Sequence, residues 1–226
     1  MLKDFLYLFF PIHCAACDTP LHKNEKIICT YCRHQLPLGN FHKVNGEKIK
    51  KVFYGRANLE NATALFVFQK QGLVQNLIHN LKYRGQEEIG EELGKWLGEE
   101  LKYISDYQDI DLVIPVPLHP KRLRERGFNQ VQKFGEQIAL KINAEYTDKF
   151  LKKNSYNTKQ SKSDRLSRWI NTSETFSSEN TDLLKNKHIL IVDDILTTGA
   201  TLEACIETLS DISGLTISIA TMAITE

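Results

Sequence analysis

The sequence predicts an α/β fold, a mostly parallel sheet with helices on both faces, preceded by a small metal-binding knuckle. Three observations carry that expectation. Residues 111–116 (DLVIPV) and 187–192 (KHILIV) are short aliphatic runs of the kind that strands buried on both faces show. Helical patterns separate them, the alternation that builds parallel sheets. Four of the five cysteines fall near the N-terminus in two C-x-x-C pairs.

The chain has 226 residues, 42% hydrophobic and 25% charged, enough for one ordinary core with a smaller appendage. A net charge of +1 gives no global pull toward nucleic acid or membrane, so electrostatic partners must be read from local clusters. Residues 1–11 (MLKDFLYLFFP) resemble the start of a signal peptide, but the run carries Asp4, lacks a small-residue cleavage site and is shorter than the roughly 18 residues that span a bilayer. The expectation is a cytoplasmic protein with no membrane insertion.

In chain order, the knuckle comes first. Cys14-x2-Cys17 and Cys29-x2-Cys32, with eleven residues between the pairs, have metal-ligand spacing. Each tight turn presents two thiolates, and two turns complete a tetrahedral sulfur shell for structural Zn²⁺. Two disulfides are the alternative, disfavoured in a reducing cytosol. His13 and His34 flank the set and are not needed as ligands. Residues 1–37 form this unit, 38–60 a linker and the start of the core, marked by Pro37, Gly39, Asn40 and Gly46, and 61–226 the main domain.

Residues 51–57 and 62–68 read as a pair of strands. Leu73, Val74, Leu77, Ile78 and Leu81 share one helical face, as do Ile89, Leu93, Trp96, Leu97 and Leu101, and these are packing faces. After the 111–116 strand comes a Pro- and Arg-rich turn, then a helix through Phe128, Val131, Phe134 and Ile138. Residues 152–178, polar and poor in aliphatics, read as a long loop of the kind that serves as a functional lid. Residues 215–224 alternate as a last strand, and Cys205 belongs to a helix core.

The chemistry concentrates after the strongest strand, Ile189-Leu-Ile-Val-Asp-Asp-Ile-Leu-Thr-Thr-Gly-Ala-Thr201. The strand delivers Asp193 and Asp194 to its carboxyl end, where open α/β sheets bind ligands and carboxylates accept hydrogen bonds from sugar hydroxyls. Thr197, Thr198, Gly199, Ala200 and Thr201 supply hydroxyls, a glycine that permits close approach, and a helix N-terminus that favours phosphate. A lone Asp-Asp is usually a strand end and a lone Thr-Thr-Gly a turn; in combination they point to a ribose phosphate. No Lys follows the glycine, so this is not a P-loop.

Here the sequence resembles the phosphoribosyltransferase family, whose phosphoribosyl pyrophosphate signature has this strand, acidic pair and T-T-G-x-T loop. With the two C-x-x-C pairs, Leu81-Lys-Tyr-Arg-Gly85, Ile114-Pro-Val-Pro-Leu-His119, Arg126-Gly-Phe-Asn-Gln130, and a loop holding Thr158, Gln160, Arg165, Arg168 and Asn171, nearly the whole chain looks like the ComF (ComFC, GntX-like) family. That resemblance implies a zinc knuckle joined to a type I phosphoribosyltransferase-like domain. It also implies a role in natural transformation, with single-stranded DNA and competence-machinery proteins as partners.

Carried onto these residues, the resemblance has Asp193 and Asp194 holding ribose hydroxyls as catalytic groups and the Thr197–Thr201 loop binding the 5′-phosphate. Lys121, Arg122, Arg124 and Arg126 occupy the place where the family grips pyrophosphate. Four cations against one Glu125 suit pyrophosphate or a DNA backbone equally, and a solvated basic helix start is the bland alternative. Residues 149–168 hold seven Lys or Arg against Asp164, and Lys159, Gln160, Arg165 and Arg168 would lie on a lid that closes on a charged substrate. Mg²⁺ would accompany phosphoribosyl pyrophosphate. Residues 1–58 carry nine Lys or Arg against four Asp or Glu, with Tyr31, Phe41, Phe53 and Tyr54 interspersed, a composition that suits single-strand binding or a mini-domain whose aromatics pack. Three functions stay open: a competence-type DNA-handling protein, a nucleotide-salvage or base-modifying phosphoribosyltransferase, and a metabolite-sensing regulator.

Overall fold

The structure, a computed structural model, describes residues 10–155 and 175–225. Among these residues the strands are β1 (Ala62–Phe68), β2 (Leu112–Pro115), β3 (Glu145–Tyr146), β4 (Leu151–Lys153), β5 (Phe176–Ser178), β6 (His188–Leu196) and β7 (Thr216–Thr225). The α-helices among them are α1 (Thr30–Gln35), α2 (Gly46–Lys50), α3 (Leu73–Tyr83), α4 (Glu88–Leu101), α5 (Pro120–Arg126), α6 (Gln132–Ile142) and α7 (Ala200–Leu209).

Five strands form one sheet in the order β1-β7-β6-β2-β3, and every pairing in it is parallel. Its centre, β6 and β7, is built from β-branched and aliphatic residues buried on both faces, which is why those runs show little alternation of polarity. One face packs against α3, α4 and α6 through Leu77, Leu81, Leu93, Phe134 and Ile138, and the same core takes in Cys14, Cys29, Cys32 and Leu36 of the knuckle. The other face is covered by α7 together with Phe41, Ile49, Phe53, Phe150 and Phe176. Among the described residues no helix is long and apolar enough to cross a membrane.

The packing of α4 on α6 depends on close approach. Gly90, Gly94 and Gly98 recur every four residues and so share one side of α4. A Cβ on Gly94 would stand 2.5 Å from the Phe134 carbonyl oxygen.

Three segments differ from their sequence expectation. Residues 51–57 are not a strand: Lys51–Phe53 form a 3₁₀ turn, and Gly55 at φ +71° bends the chain onward. The polar–apolar alternation there is local, because Val52 and Phe53 both turn toward Gly199 rather than to opposite faces of a sheet. The basic turn after β2 is the helix α5, started by Pro120 at its first position with His119 Nδ1 accepting from the Lys121 N–H at 3.2 Å, and stopped by Gly127 at φ +88°. The polar stretch 152–178 is anchored at both ends, since β4 and β5 pair antiparallel. Within residues 38–60, the linker and start of the core, a π-helical turn Phe41–Asn45 is followed by α2, and Phe41, Ile49 and Phe53 are buried.

Candidate functional site

The sheet order makes one position special. From β2 the chain crosses through α6 to β3 on one side, whereas from β6 it crosses through α7 to β7 on the other, so β2 and β6 are neighbours whose connections diverge. A crevice opens at the carboxyl ends of such a pair. The strand β6 runs past its neighbour: β2 pairs up to Pro115 opposite Val192, Val116 N–H still donates to the Val192 carbonyl at 2.9 Å, and beyond that β6 continues beside β7 only. Asp193 and Asp194 are the first residues of this overhang.

Strand alternation sends the two side chains to opposite faces. Asp194 faces α3 and α6, where Lys82 Nζ lies 2.9 Å and Gln130 Nε2 2.7 Å from the same oxygen, Oδ2. Gln130 in turn accepts from Arg126, whose guanidinium sits 5.8 Å from the Tyr83 ring centroid. Asp193 faces α7 and β4, where its electrostatic neighbours include Cys205 and Lys153. Its Oδ1 accepts from the Asp194 N–H at 2.8 Å. Both aspartates are more than nine-tenths buried. Burial, reinforced by the Asp194 charge, pushes the Asp193 carboxyl up to about 7, while the cations Lys82 and Lys153 act against that rise. Burial lowers the pKa of both Lys153 and Arg126.

The loop between β6 and α7 holds Thr197, Thr198 and Gly199, and Ala200 and Thr201 open the helix. Gly199 sits at φ +80°, and a Cβ there would lie 3.0 Å from Phe53 Cε1, so both conformation and space require glycine. As the N-cap it brings no capping side chain, and Thr198 Oγ1 reaches the Ala200 N–H only at 3.4 Å. The first-turn amides of a ten-residue helix therefore face the same end of the sheet as the aspartates. Arg56 braces the loop, donating to the Thr198 carbonyl at 3.1 Å and pairing with Glu203 at 2.5 Å.

Of the expected pyrophosphate cations, the structure brings Arg126 and Arg122 toward the acid pair: Arg126 feels both Asp194 and Arg122, and Arg122 also acts on Lys153. Lys121 and Arg124 lie exposed on the same short helix. Lys159, Gln160, Arg165 and Arg168, with Thr158 and Asn171, lie outside the described residues, as does most of the apolar run 1–11. Sequence reasoning assigns Lys82 and Gln130 no individual role, and it places Lys153 and Arg56 only among the cations of the 149–168 and 1–58 stretches. Lys82 and Gln130 stand inside the quoted motifs, but nothing in a linear pattern shows that two distant segments meet at one carboxylate oxygen.

At the N-terminus the four sulfur atoms of Cys14, Cys17, Cys29 and Cys32 all lie within 4.8 Å of one another. Cys17 Sγ and Cys29 Sγ are 3.7 Å apart, against an edge of about 3.8 Å for a tetrahedron with Zn–S bonds of about 2.3 Å. Backbone amides already point at the sulfurs, Cys29 N–H to Cys14 Sγ at 3.3 Å and Cys32 N–H to Cys29 Sγ at 3.4 Å, the outer contacts that stabilise bound thiolates. The set fits a tetrahedral, thiophilic ion. The aromatics of this region divide: Phe41 and Phe53 are core, whereas Tyr31 and Tyr54 are exposed.

Residues 133–224 match the family model of the phosphoribosyl transferase domain. That stretch runs from α6 to β7 and contains both aspartates and the whole loop; the knuckle, α3 and α5 lie before it. Solved structures similar to the chain include a hypoxanthine phosphoribosyltransferase from Staphylococcus aureus (22% identity, 60% of this chain and 62% of that one, TM-score 0.37). Others are a glutamine phosphoribosylpyrophosphate amidotransferase from B. subtilis (16%, 64% and 30%, TM-score 0.44) and an adenine phosphoribosyltransferase from Trypanosoma brucei (15%, 67% and 68%, TM-score 0.38). The chain thus spans under two thirds of the length of the first two. No curated protein matches the chain.

Proposed function

We propose that the protein binds phosphoribosyl pyrophosphate at the end of β6 and transfers its phosphoribosyl group to a nitrogen acceptor. The observation that carries this reading is the placement of two adjacent buried aspartates at the switch point between β2 and β6, one short loop before the uncapped start of α7, within the stretch that matches the phosphoribosyl transferase domain. In the transfer, a bond forms between the acceptor nitrogen and ribose C1′ as the bond from C1′ to the pyrophosphate oxygen breaks. Thr198, Gly199 and the first amides of α7 hold the 5′-phosphate, and Asp194, oriented by Lys82 and Gln130, accepts from a ribose hydroxyl. Arg126 and Arg122 supply positive charge where pyrophosphate departs. The chain's work is positioning and electrostatics, with no covalent nucleophile. The carboxylates and hydroxyls are hard oxygen donors that fit Mg²⁺, which would neutralise charge on the leaving pyrophosphate. In the knuckle the four cysteines would hold a structural Zn²⁺.

Calorimetric titration with phosphoribosyl pyrophosphate and Mg²⁺ tests the site. Wild-type protein should bind and the Asp193→Asn, Asp194→Asn double variant should not; equal affinity in the two would refute the assignment. Release of pyrophosphate with a panel of nucleobases then reads turnover.

The ComF resemblance supports a finer proposal, a cytoplasmic protein of natural transformation that engages single-stranded DNA through the knuckle. The exposed Tyr31 on α1 suits stacking of an unpaired base. Affinity for an oligonucleotide should fall with salt and fall again in Tyr31→Ala. Salt-independent binding, or none, would remove the DNA role and leave the transferase reading intact.

A further inference from the structure

The knuckle touches the acid-pair site through one helix. Ala15 and Ala16 are the two residues enclosed by the first C-x-x-C turn, and both are buried. Their carbonyls accept from two asparagines one turn apart on α3: Asn76 Nδ2 donates to Ala16 at 2.8 Å and Asn80 Nδ2 to Ala15 at 2.8 Å. The turn is itself fixed on its other side by Ala15 N–H to the Ile27 carbonyl at 2.8 Å and by Cys14 N–H to the Thr19 carbonyl at 2.8 Å. Two residues beyond Asn80 the same helix carries Lys82, whose ammonium stands 2.9 Å from Asp194. From Asn76 to Lys82 is about 9 Å along the axis, less than two turns, a distance over which a helix moves as a rigid rod.

We infer that the cysteine knuckle, clamped to α3 by Asn76 and Asn80, positions Lys82 against Asp194, so that metal in the knuckle and ribose phosphate at the sheet end are thermodynamically linked. The inference rests on the ribose phosphate reading above and adds a positioning residue and a means of regulation to that site. The physical steps are short. A C-x-x-C turn keeps its carbonyls in fixed directions only while both its sulfurs are held; once it loosens, α3 loses two partly buried hydrogen bonds of about 1 kcal/mol each and part of its docking face. Lys82 is the neighbouring cation closest to a buried carboxylate, so a small displacement of its helix changes the charge presented to an incoming anion. Linkage is reciprocal: whatever factor metal contributes to ligand affinity, ligand contributes to metal affinity. The knuckle is thereby more than a staple, since oxidation or loss of its metal would be read at the acid pair.

The test cuts the clamp and leaves the cysteines alone. Asn76→Ala with Asn80→Ala keeps α3 helical, because alanine is the better helix former. Metal content and calorimetric affinity for phosphoribosyl pyrophosphate with Mg²⁺ are measured on the same preparation. The expected result is unchanged metal stoichiometry with affinity about 5- to 10-fold weaker, the low end for linked sites. Lys82→Met should weaken binding in the wild-type background but add little once the clamp is cut, and Lys82→Arg should recover part of the loss. Reciprocally, the ligand should raise metal affinity in equilibrium competition with a chelator in wild type and not in the clamp variant. Equal affinity in wild type and clamp variant, or a Lys82→Met cost that is the same in both backgrounds, would overturn the inference and leave the ribose phosphate site standing. A wild type that binds no phosphoribosyl pyrophosphate would overturn both.

Discussion

The two ends of β6 handle buried polar groups in opposite ways. At the amino end, opposite charges and matched donors meet. His188 Nδ1 lies 3.0 Å from Asp109, its Nε2 2.8 Å from Ser218 Oγ, and its backbone N–H donates to Asp111, which also pairs with Lys187 at 2.7 Å. At the carboxyl end, two aspartates follow one another and the first is pushed up to about 7 by burial and by its neighbour's charge. A polar cluster satisfied from within has reached its final state. One that keeps like charges adjacent in a buried place retains electrostatic tension, and a cation or a ligand's donors release it. The contrast points to function at one end and structure at the other.

The largest expected effect separates the ends by ligand. Asp194→Asn removes the charge that Lys82 faces and weakens an acceptor of ribose hydroxyls, so affinity for phosphoribosyl pyrophosphate should fall about 30- to 100-fold, roughly 2–3 kcal/mol, with little change in metal content. The matching change at the other end, His188→Ala, should cost about 2–3 kcal/mol of stability by removing a buried ring together with its hydrogen bond to Ser218, with ligand affinity unchanged in the folded protein. Denaturant titration alongside calorimetry reads both. A ligand effect from His188, or none from Asp194, would break the comparison.

A smaller effect sharpens it through pH. The folded-state pKa of Asp193 is above the unfolded value, so the protonated side chain favours folding, and its contribution is lost as pH rises from about 4 to about 7. Asp193→Asn mimics the neutral form. It should therefore raise stability at pH 8, on the order of 2 kcal/mol, and change it little at pH 4. Thermal melts at the two values check the sign; equal shifts would place the strain elsewhere.

Much of this was legible from linear pattern, and the rest failed for identifiable reasons. The acid pair and the Thr197–Thr201 loop are contiguous, so their chemistry is visible in one stretch. The parallel order follows from aliphatic strands separated by helices, and the knuckle from cysteine spacing. By contrast, the partners of the acid pair come from three separate segments: Lys82 from α3, Gln130 from before α6, and Lys153 from β4. Lys82 and Gln130 stand in quoted motifs and Lys153 in the basic stretch 149–168, but none of them reads locally as a neighbour of the aspartates. Residues 51–57 misled because short alternation is shared by strands and by turns that plug a loop, and only the contact of Phe53 with Gly199 decides between them. The close packing of α4 on α6 at Gly90, Gly94 and Gly98 went unread, although their four-residue spacing carries that signal.

The smallest effect concerns a resemblance in geometry. Asp109, His188 and Ser218 have the order and spacing of a hydrolytic relay, carboxylate to imidazole to hydroxyl, at 3.0 and 2.8 Å. Distances of this kind make a nucleophile only if a substrate reaches the oxygen. Ser218 is 0% exposed, lies on β7 between β1 and β6, and has its Oγ already accepting from the Asn61 N–H at 3.0 Å. The relay therefore ties the strand ends together and performs no hydrolysis. Ser218→Ala should cost about 1 kcal/mol of stability, leave ligand binding unchanged, and make no difference to labelling by a serine-reactive fluorophosphonate, which wild type should resist. Labelling lost on substitution of Ser218 would show that the strand end opens to solvent, and the amino end would then have to be counted as a second reactive site.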